Sequence, residues 1–300
     1  MRHFLFCLGL LLLPWTLLAQ EDLMDLLDEI EEQSIDYTYA TFKTIRIVNA
    51  HSIETSAPGV LTMNIAHRFG ALNSGFYDLF GLDQANMRFG FQYGLTNWLA
   101  LGVGRSNIRK TYDGYLKLKL LRQSTGKRTM PLTLVYVGGT QLSAQRFADP
   151  NRENLFSSRL SYTHQVLIAR KFNEVLSLQV MPTMVHRNLV ATRADENDVY
   201  SIGAGGRVKV APSVTINVEY FHLLPGHTAD NFKNSLSVGI DIETGGHVFQ
   251  LVFSNSRTMN ENLFIPATEG VWEEGDIHFG FNLTRVFTVN KRGKRPPKDK

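Results

Sequence analysis

The chain has 300 residues, a formal charge of +3 and a single cysteine, Cys7, inside an apolar N-terminal run. Disulfide frameworks and cysteine-ligated metals are thereby excluded once that run is set aside. The charge is uneven: Lys291, Arg292, Lys294, Arg295, Lys298 and Lys300 oppose only Asp299, so the C-terminal tail holds the surplus and the body is acidic. Basicity confined to a tail gives no argument for binding nucleic acid.

Arg2 and His3 precede an apolar stretch from Phe4 to Leu13, and Leu17-Leu18-Ala19 offers a small residue before a cut at Gln20. Residues 1–19 therefore read as a signal peptide, the alternative being an N-terminal anchor. Thereafter nothing approaches the roughly 18 consecutive apolar residues of a spanning helix. The mean hydropathy of −0.13 looks soluble. A membrane barrel has the same mean, because each lipid-facing residue is followed by an inward polar one.

Residues 20–58 form the expected periplasmic N-terminal segment. Leu23, Leu26, Leu27 and Ile30 recur at helical spacing within the acidic stretch Glu21–Gln33, giving a short amphipathic helix for the barrel rim or a partner. Tyr37–Glu54, β-branched and aromatic, reads as a strand-like segment entering the lumen as a plug or lining its mouth. Ser56-Ala57-Pro58-Gly59 closes it with a turn.

From Val60 to Phe287 the apolar residues recur with period two, in segments of roughly 9–13 residues. Ile277, Phe279, Phe281 and Leu283 oppose His278, Gly280, Asn282 and Thr284 in the last of them. Twelve such strands are expected: 60–69, 83–93, 98–105, 112–121, 131–141, 159–170, 175–187, 200–210, 214–224, 236–242, 247–253 and 276–287. Pro131–Gln141 is ambiguous, since Leu134, Val135, Tyr136 and Val137 are apolar on both faces. Short connections alternate with long polar ones, as in a barrel with one periplasmic and one external end. Arg122–Met130 breaks that rule by being long, and the neighbouring connection near Ile108–Thr111 by being compact. Tyr93, Trp98, Tyr112, Tyr162, Tyr200, Tyr220 and Phe287 fall near strand ends, where amphipathic rings settle at a membrane boundary.

The fold class is thus all-β, a transmembrane antiparallel up-and-down β-barrel of about 12 strands over residues 59–287, with a basic periplasmic tail at 288–300. The location is a Gram-negative outer membrane with both termini periplasmic.

Phe42-Lys43-Thr44 with Arg46, Asn49 and Ser52-Ile53-Glu54 resembles the entry segment of a Bacteroidota outer-membrane β-barrel family of unknown function. His67-Arg68-Phe69-Gly70, Phe80-Gly81-Leu82-Asp83 with Ala85 and Arg88, and Lys110-Thr111-Tyr112-Asp113-Gly114 with Lys117 and Lys119 resemble it too. The resemblance is good over the first half of the mature chain and rests on strand pattern in the second. It implies fold and location and carries over no catalytic residue.

Period two places Arg68, Arg88, Lys117, Lys119, Arg207, Lys209, Glu219 and Asp241 on the lumen face. They form either an internal salt-bridge ladder or a basic constriction favouring small anions and acidic solutes. Inward glycines (Gly90, Gly203, Gly205, Gly239, Gly280) leave room for these long side chains or for a plug. His67, His164 and His186 fall outward, but Ser157, Ser158 and Ser161 supply no outward partner for a hydrolase pair. His164, deep in its strand, points to a register shift or bulge. Asp195, Glu196 and Asp198 suggest a solvated loop or a divalent cation site, and His222 with His227 a weaker one. No catalytic, cofactor-binding or metal-ligating residue is assigned, and no cofactor is expected. The functional expectation is a narrow passive channel or uptake protein for a small-molecule solute. The alternatives are a structural barrel recruiting a periplasmic protein partner and, further off, a lipid-modifying enzyme. Outer-membrane lipid is the expected surrounding.

Overall fold

The computed structural model describes residues 34–290 apart from 148, 152, 227, 229 and 230. The signal peptide, the helix expected at Glu21–Gln33, the basic residues 291–300 and His227 lie outside the described residues. The described chain forms two compact units, the smaller containing residues up to Tyr39 and Arg122–Pro131.

In the smaller unit, β1 (Ile35–Tyr37) pairs antiparallel with β6 (Ser124–Gly126). The guanidinium of Arg122 lies 4.0 Å from the ring centre of Tyr37 and 5.3 Å from that of Tyr39. The connection at 122–131 is long because it contains a strand of its own, which explains the misfit in the alternation of loop lengths.

The larger unit is a closed antiparallel barrel of twelve strands. They are β2 (Val60–Ala71), β3 (Ala85–Gly94), β4 (Leu99–Ser106), β5 (Thr111–Leu121), β7 (Thr133–Ser143) and β8 (Leu160–Lys171), followed by β9 (Leu176–Arg187), β10 (Asp198–Ala211), β11 (Val214–Leu223), β12 (Ser235–Thr244), β13 (His247–Ser254) and β14 (His278–Thr288). Each strand pairs with its neighbour in sequence, and β14 closes on β2. Alternation decides which residue faces where. Leu101, Val103, Val180, Ile202, Val208 and Val218 are exposed on the outer surface. Asn64, Gln92, Gln165, Gln179, Asn217 and Gln250 are buried inside. On the outer face of β13, β14 and β2, Phe249, Phe281, Phe279 and Phe69 stack at centroid separations of 5.8 to 5.9 Å. Closure leaves no unpaired sheet edge, which is the condition for strands to stand in hydrocarbon.

His164 faces outward in an unbroken β7–β8 ladder, opposite Gly138, and shares a 2.6 Å hydrogen bond with the Tyr136 hydroxyl. The expected bulge is therefore absent from that pair. A cross-strand partner, not a slip in register, accommodates the imidazole.

Tyr37–Glu54 does not continue as a strand. Only Ile35–Tyr37 is extended and paired; beyond Ala40 the chain turns tightly, and residues 41 and 42 and 45–53 are buried. The Ile47 N–H donates to Ala50 O (2.8 Å) and the Ser52 N–H to Ile45 O (3.1 Å), so Arg46 and His51 bridge across a miniature hairpin. Phe42, Ile47, Val48 and Ile53 share an apolar cluster with Val135, Val137, Leu167, Met181 and Phe221 of the wall. That cluster explains the doubly apolar β7, whose inward Val135 and Val137 face protein, not water.

Inward glycines make this fit possible. A Cβ on Gly205 would collide with Ile47 Cδ1, one on Gly203 with the Phe221 ring, and one on Gly90 with the Arg88 guanidinium. Overpacking of this kind costs about 1–3 kcal/mol. We expect Gly205→Val to keep the heat-modifiable gel migration of a folded barrel while raising amide hydrogen exchange across residues 44–53. Unchanged protection of that stretch would show that Ile47 does not depend on the gap.

Candidate lumen site

The inner segment has almost no secondary structure of its own, so its main-chain groups need partners from the wall. Glu219, on β11, accepts hydrogen bonds from three successive N–H groups, Val48 (3.0 Å), Asn49 (2.8 Å) and Ala50 (2.9 Å). Lys117, on β5, donates from Nζ to Ile45 O (2.8 Å), Ser52 O (2.8 Å) and Glu54 O (3.1 Å). An ionised carboxylate only accepts and an ammonium has three donors to give, so Lys117 spends all its donors on backbone and Glu219 takes only backbone N–H groups. Amides complete the grip. Gln179 accepts from the Ile53 N–H (3.0 Å) and donates to His51 O (2.7 Å). Gln250 donates to Ile47 O (2.8 Å) and Asn282 to Val48 O (2.9 Å).

The structure places the eight lumen-face residues in three settings. Arg68 is buried, donating to Asn49 Oδ1 (2.7 Å) of the inner segment and to Asn282 Oδ1 (3.0 Å). Arg207 donates to Thr41 O at 3.3 Å, and Asp241 accepts from Thr215 (3.2 Å) and Gln250 (2.6 Å). Arg88 forms a two-pronged ion pair with Asp113, its Nε 3.1 Å from Oδ1. Lys119 and Lys209 are only half-buried and stand at the short-turn rim, where both ladders slip register. A continuous salt-bridge ladder is not what forms: among the described residues Arg88–Asp113 is the ion pair between inward-facing strand residues, His186 and Asp198 meeting at the long-loop rim. Nor is there a ring of unengaged basic groups.

A second stopper comes from the other end. The β13–β14 connection, expected as a polar outer loop, folds inward and buries Met259, Asn260, Glu261, Leu263, Phe264 and Ile265. Asn260 donates to Asp113 Oδ1 (2.9 Å), Asn262 to Ser161 Oγ (2.8 Å), and the Phe264 ring meets Phe221 edge-on at 5.4 Å. The two stoppers touch through Glu261, which accepts from Arg46 Nη1 at 2.7 Å and lies 3.2 Å from His51 Nε2. Above the loop, on the long-loop side, a cavity of about 580 Å³ remains, lined by Arg109, Thr192, Asp195, Phe232, Arg257 and His278 among others.

The acidic loop does not gather its carboxylates. Asp195 accepts from Thr192 and Asp198 lies 2.6 Å from His186 Nδ1, and no cluster able to hold a metal occurs among the described residues. Sequence reasoning put Asn282 on the polar face of the last strand without giving it a role, and missed Asp113, Gln179 and Gln250 on the wall. All four stand in the inward phase of their strands, so the period-two pattern could have found them. Glu261 carried no such signal.

The family described as "Membrane bound beta barrel domain (DUF5777)" matches residues 42–287. No curated protein matches the sequence significantly. Solved structures of similar form include the NanC porin, at 9% identity and TM-score 0.47, covering 76% of this chain and 98% of that one. The KdgM porin shows 8% identity and TM-score 0.46, covering 75% and 99%. The COG4313 outer membrane channel from Pseudomonas putida F1 shows 12% identity and TM-score 0.44, covering 78% and 97%.

Two measurements check the geometry. Glu219→Gln exchanges a carboxylate for a weaker acceptor beneath three N–H groups, a loss of about 1–3 kcal/mol. We expect the amides of Val48, Asn49 and Ala50 to exchange at least about tenfold faster, and unaltered exchange would refute the assigned grip. The second concerns His51, whose imidazole is held well below its ordinary range by burial first, then by the positive charges of Arg46, Lys117 and Arg88. Asp113 and Tyr115 also lie near it, and Glu261 is already shared with Arg46. A released segment binds the proton near pH 6.5 and a seated one does not. Seating is thus complete above that pH and loses up to about 1.4 kcal/mol per pH unit below it. Exchange of residues 44–53 should quicken between pH 6.5 and 5 beyond the intrinsic chemical trend, and His51→Gln should abolish the excess.

Proposed function

The chain belongs to the family of membrane-bound β-barrel domains (DUF5777), and from that premise we propose an outer-membrane barrel that acts as a gated, narrow passage for small polar solutes. The gate is the inner segment, residues 40–56, backed by the inward β13–β14 loop. The observation that carries this reading is the chemistry of the wall. Lys117, Glu219, Gln179, Gln250 and Asn282 spend their hydrogen-bonding capacity on a tethered stretch of main chain. A barrel built only to be solid is more cheaply filled by apolar side chains, because buried ions and amides must be desolvated and then matched. Polar walls have a use if water replaces the segment. Each released bond is then exchanged for one to water, at a net cost of only about 0.5–1.5 kcal/mol. Outer-membrane placement is supported by the export-type leader and the period-two strands, and both termini on the periplasmic side by the alternation of loop lengths.

A second reading has its own observation. Phe42, Ile47, Val48 and Ile53 join Phe264 and the wall in one apolar cluster, as a permanently sealed structural barrel would have. Planar-bilayer recording separates the two. The full chain should be closed or nearly so, and deletion of residues 40–56 or the pair Glu219→Ala with Lys117→Ala should produce discrete conducting steps. Silence in every variant that retains heat-modifiable migration would remove the passage and leave the sealed barrel.

A further inference from the structure

We propose that the barrel wall is a binding site for peptide main chain, and that the solute class it accepts is short peptides that adopt a tight turn. The inner segment is then a tethered self-ligand of that site. The argument lies in which atoms the wall addresses. Glu219 takes backbone N–H groups alone from the segment, and Lys117 takes backbone carbonyls alone. Gln179 reads an N–H with its oxygen and a carbonyl with its nitrogen, two residues apart along the chain. Gln250, Asn282 and Arg207 add further carbonyl contacts. Direct hydrogen bonds from wall residues to the segment's buried side chains go to Asn49, through Arg68 and Ser237, and to Ser56 at its end, through Thr62 and Gln92.

Donors and acceptors are thus arrayed against the main chain of a tight turn, whose three successive N–H groups converge on one carboxylate. There, main-chain bonds supply affinity and side-chain pockets set preference. The pockets here are apolar and shallow, formed by Val135, Leu167, Met181 and Phe221 around Phe42, Ile47 and Ile53. A sugar presents hydroxyls that both donate and accept at any position. A dicarboxylate presents acceptors only, which would leave Glu219 without donors. The N–H groups gathered at the tip of the turn meet the carboxylate, and the carbonyls of its two arms meet the ammonium. The inference rests on the gated-passage reading only for the route by which a peptide arrives, and binding is measured without current.

The test uses the full chain in detergent with Arg46→Ala and Asn49→Ala. These changes lie in the segment and weaken its seating while leaving Glu219, Lys117, Gln179, Gln250 and Asn282 of the wall in place. The probes are a fluorescent synthetic peptide of residues 40–56, a scrambled peptide of the same composition, tetra-alanine, sucrose and succinate. We expect the two long peptides to bind within about threefold of each other and tetra-alanine to compete, while sucrose and succinate do not. Glu219→Gln or Lys117→Met, added to that background, should weaken both peptides by about tenfold or more. In the unaltered chain, millimolar tetra-alanine should speed exchange of the Val48, Asn49 and Ala50 amides, a readout that needs no variant. Binding confined to the parent sequence, equal competition by sucrose or succinate, or no peptide binding at all would overturn the proposal. Peptide binding without any conductance would sink the passage and leave this site standing. Conductance without peptide binding would do the reverse.

Discussion

Every buried amide must find a partner, and this rule governs the molecule twice over. On the outside it demands a closed wall, because hydrocarbon offers no hydrogen bonds. On the inside it acts on a stretch of chain that has almost no ladder of its own. The turn from Ile45 to Ser52 supplies two main-chain bonds to itself, and side chains of the wall supply most of the others. Lys117, Glu219 and Arg207 are best understood as partners of peptide groups, while Arg88 and Asp113 serve as counter-ions to each other.

This explains how polar and apolar character coexist in the interior. The backbone of the turn is met by carboxylate, ammonium and amide groups, while its side chains settle among Val135, Leu167, Met181 and Phe221. The second stopper repeats the arrangement. Phe264 packs on Phe221, while Asn260 and Glu261 reach Asp113 and the Arg46–His51 pair. A hydrogen-bonded, low-dielectric junction between two chain segments resists partial opening, since an ion left without its partner there is costly.

The strands were legible because a two-residue period survives whatever fills the lumen. All twelve appear within a few residues of the expected bounds, and six of the eight charged residues assigned to the inward phase are buried, Lys119 and Lys209 standing half-buried at the rim. What those charges bind was not legible, because the partner is backbone, and backbone has no signature in sequence. The inward β13–β14 loop was hidden for a related reason. Asn260 and Glu261 look like ordinary outer-loop residues until the fold brings Asp113 and Arg46 opposite them. Where period two seemed to fail, the cause was local: a strand inside the 122–131 connection, a Tyr136–His164 bond, and an apolar inward patch on β7.

The seam between the last strand and the first has a consequence for assembly. Asn282 of β14 holds Val48 O and accepts from Arg68 of β2, which in turn holds Asn49. The same two side chains therefore fasten the ends of the sheet to each other and to what lies within. The seam is laddered by main chain whether or not the bore is filled, and the enclosed turn reinforces it through these two side chains. The turn precedes every barrel strand in the chain and the seam strand follows the other eleven, so one small knot of amide and guanidinium ties together the two extremes of the folded sequence.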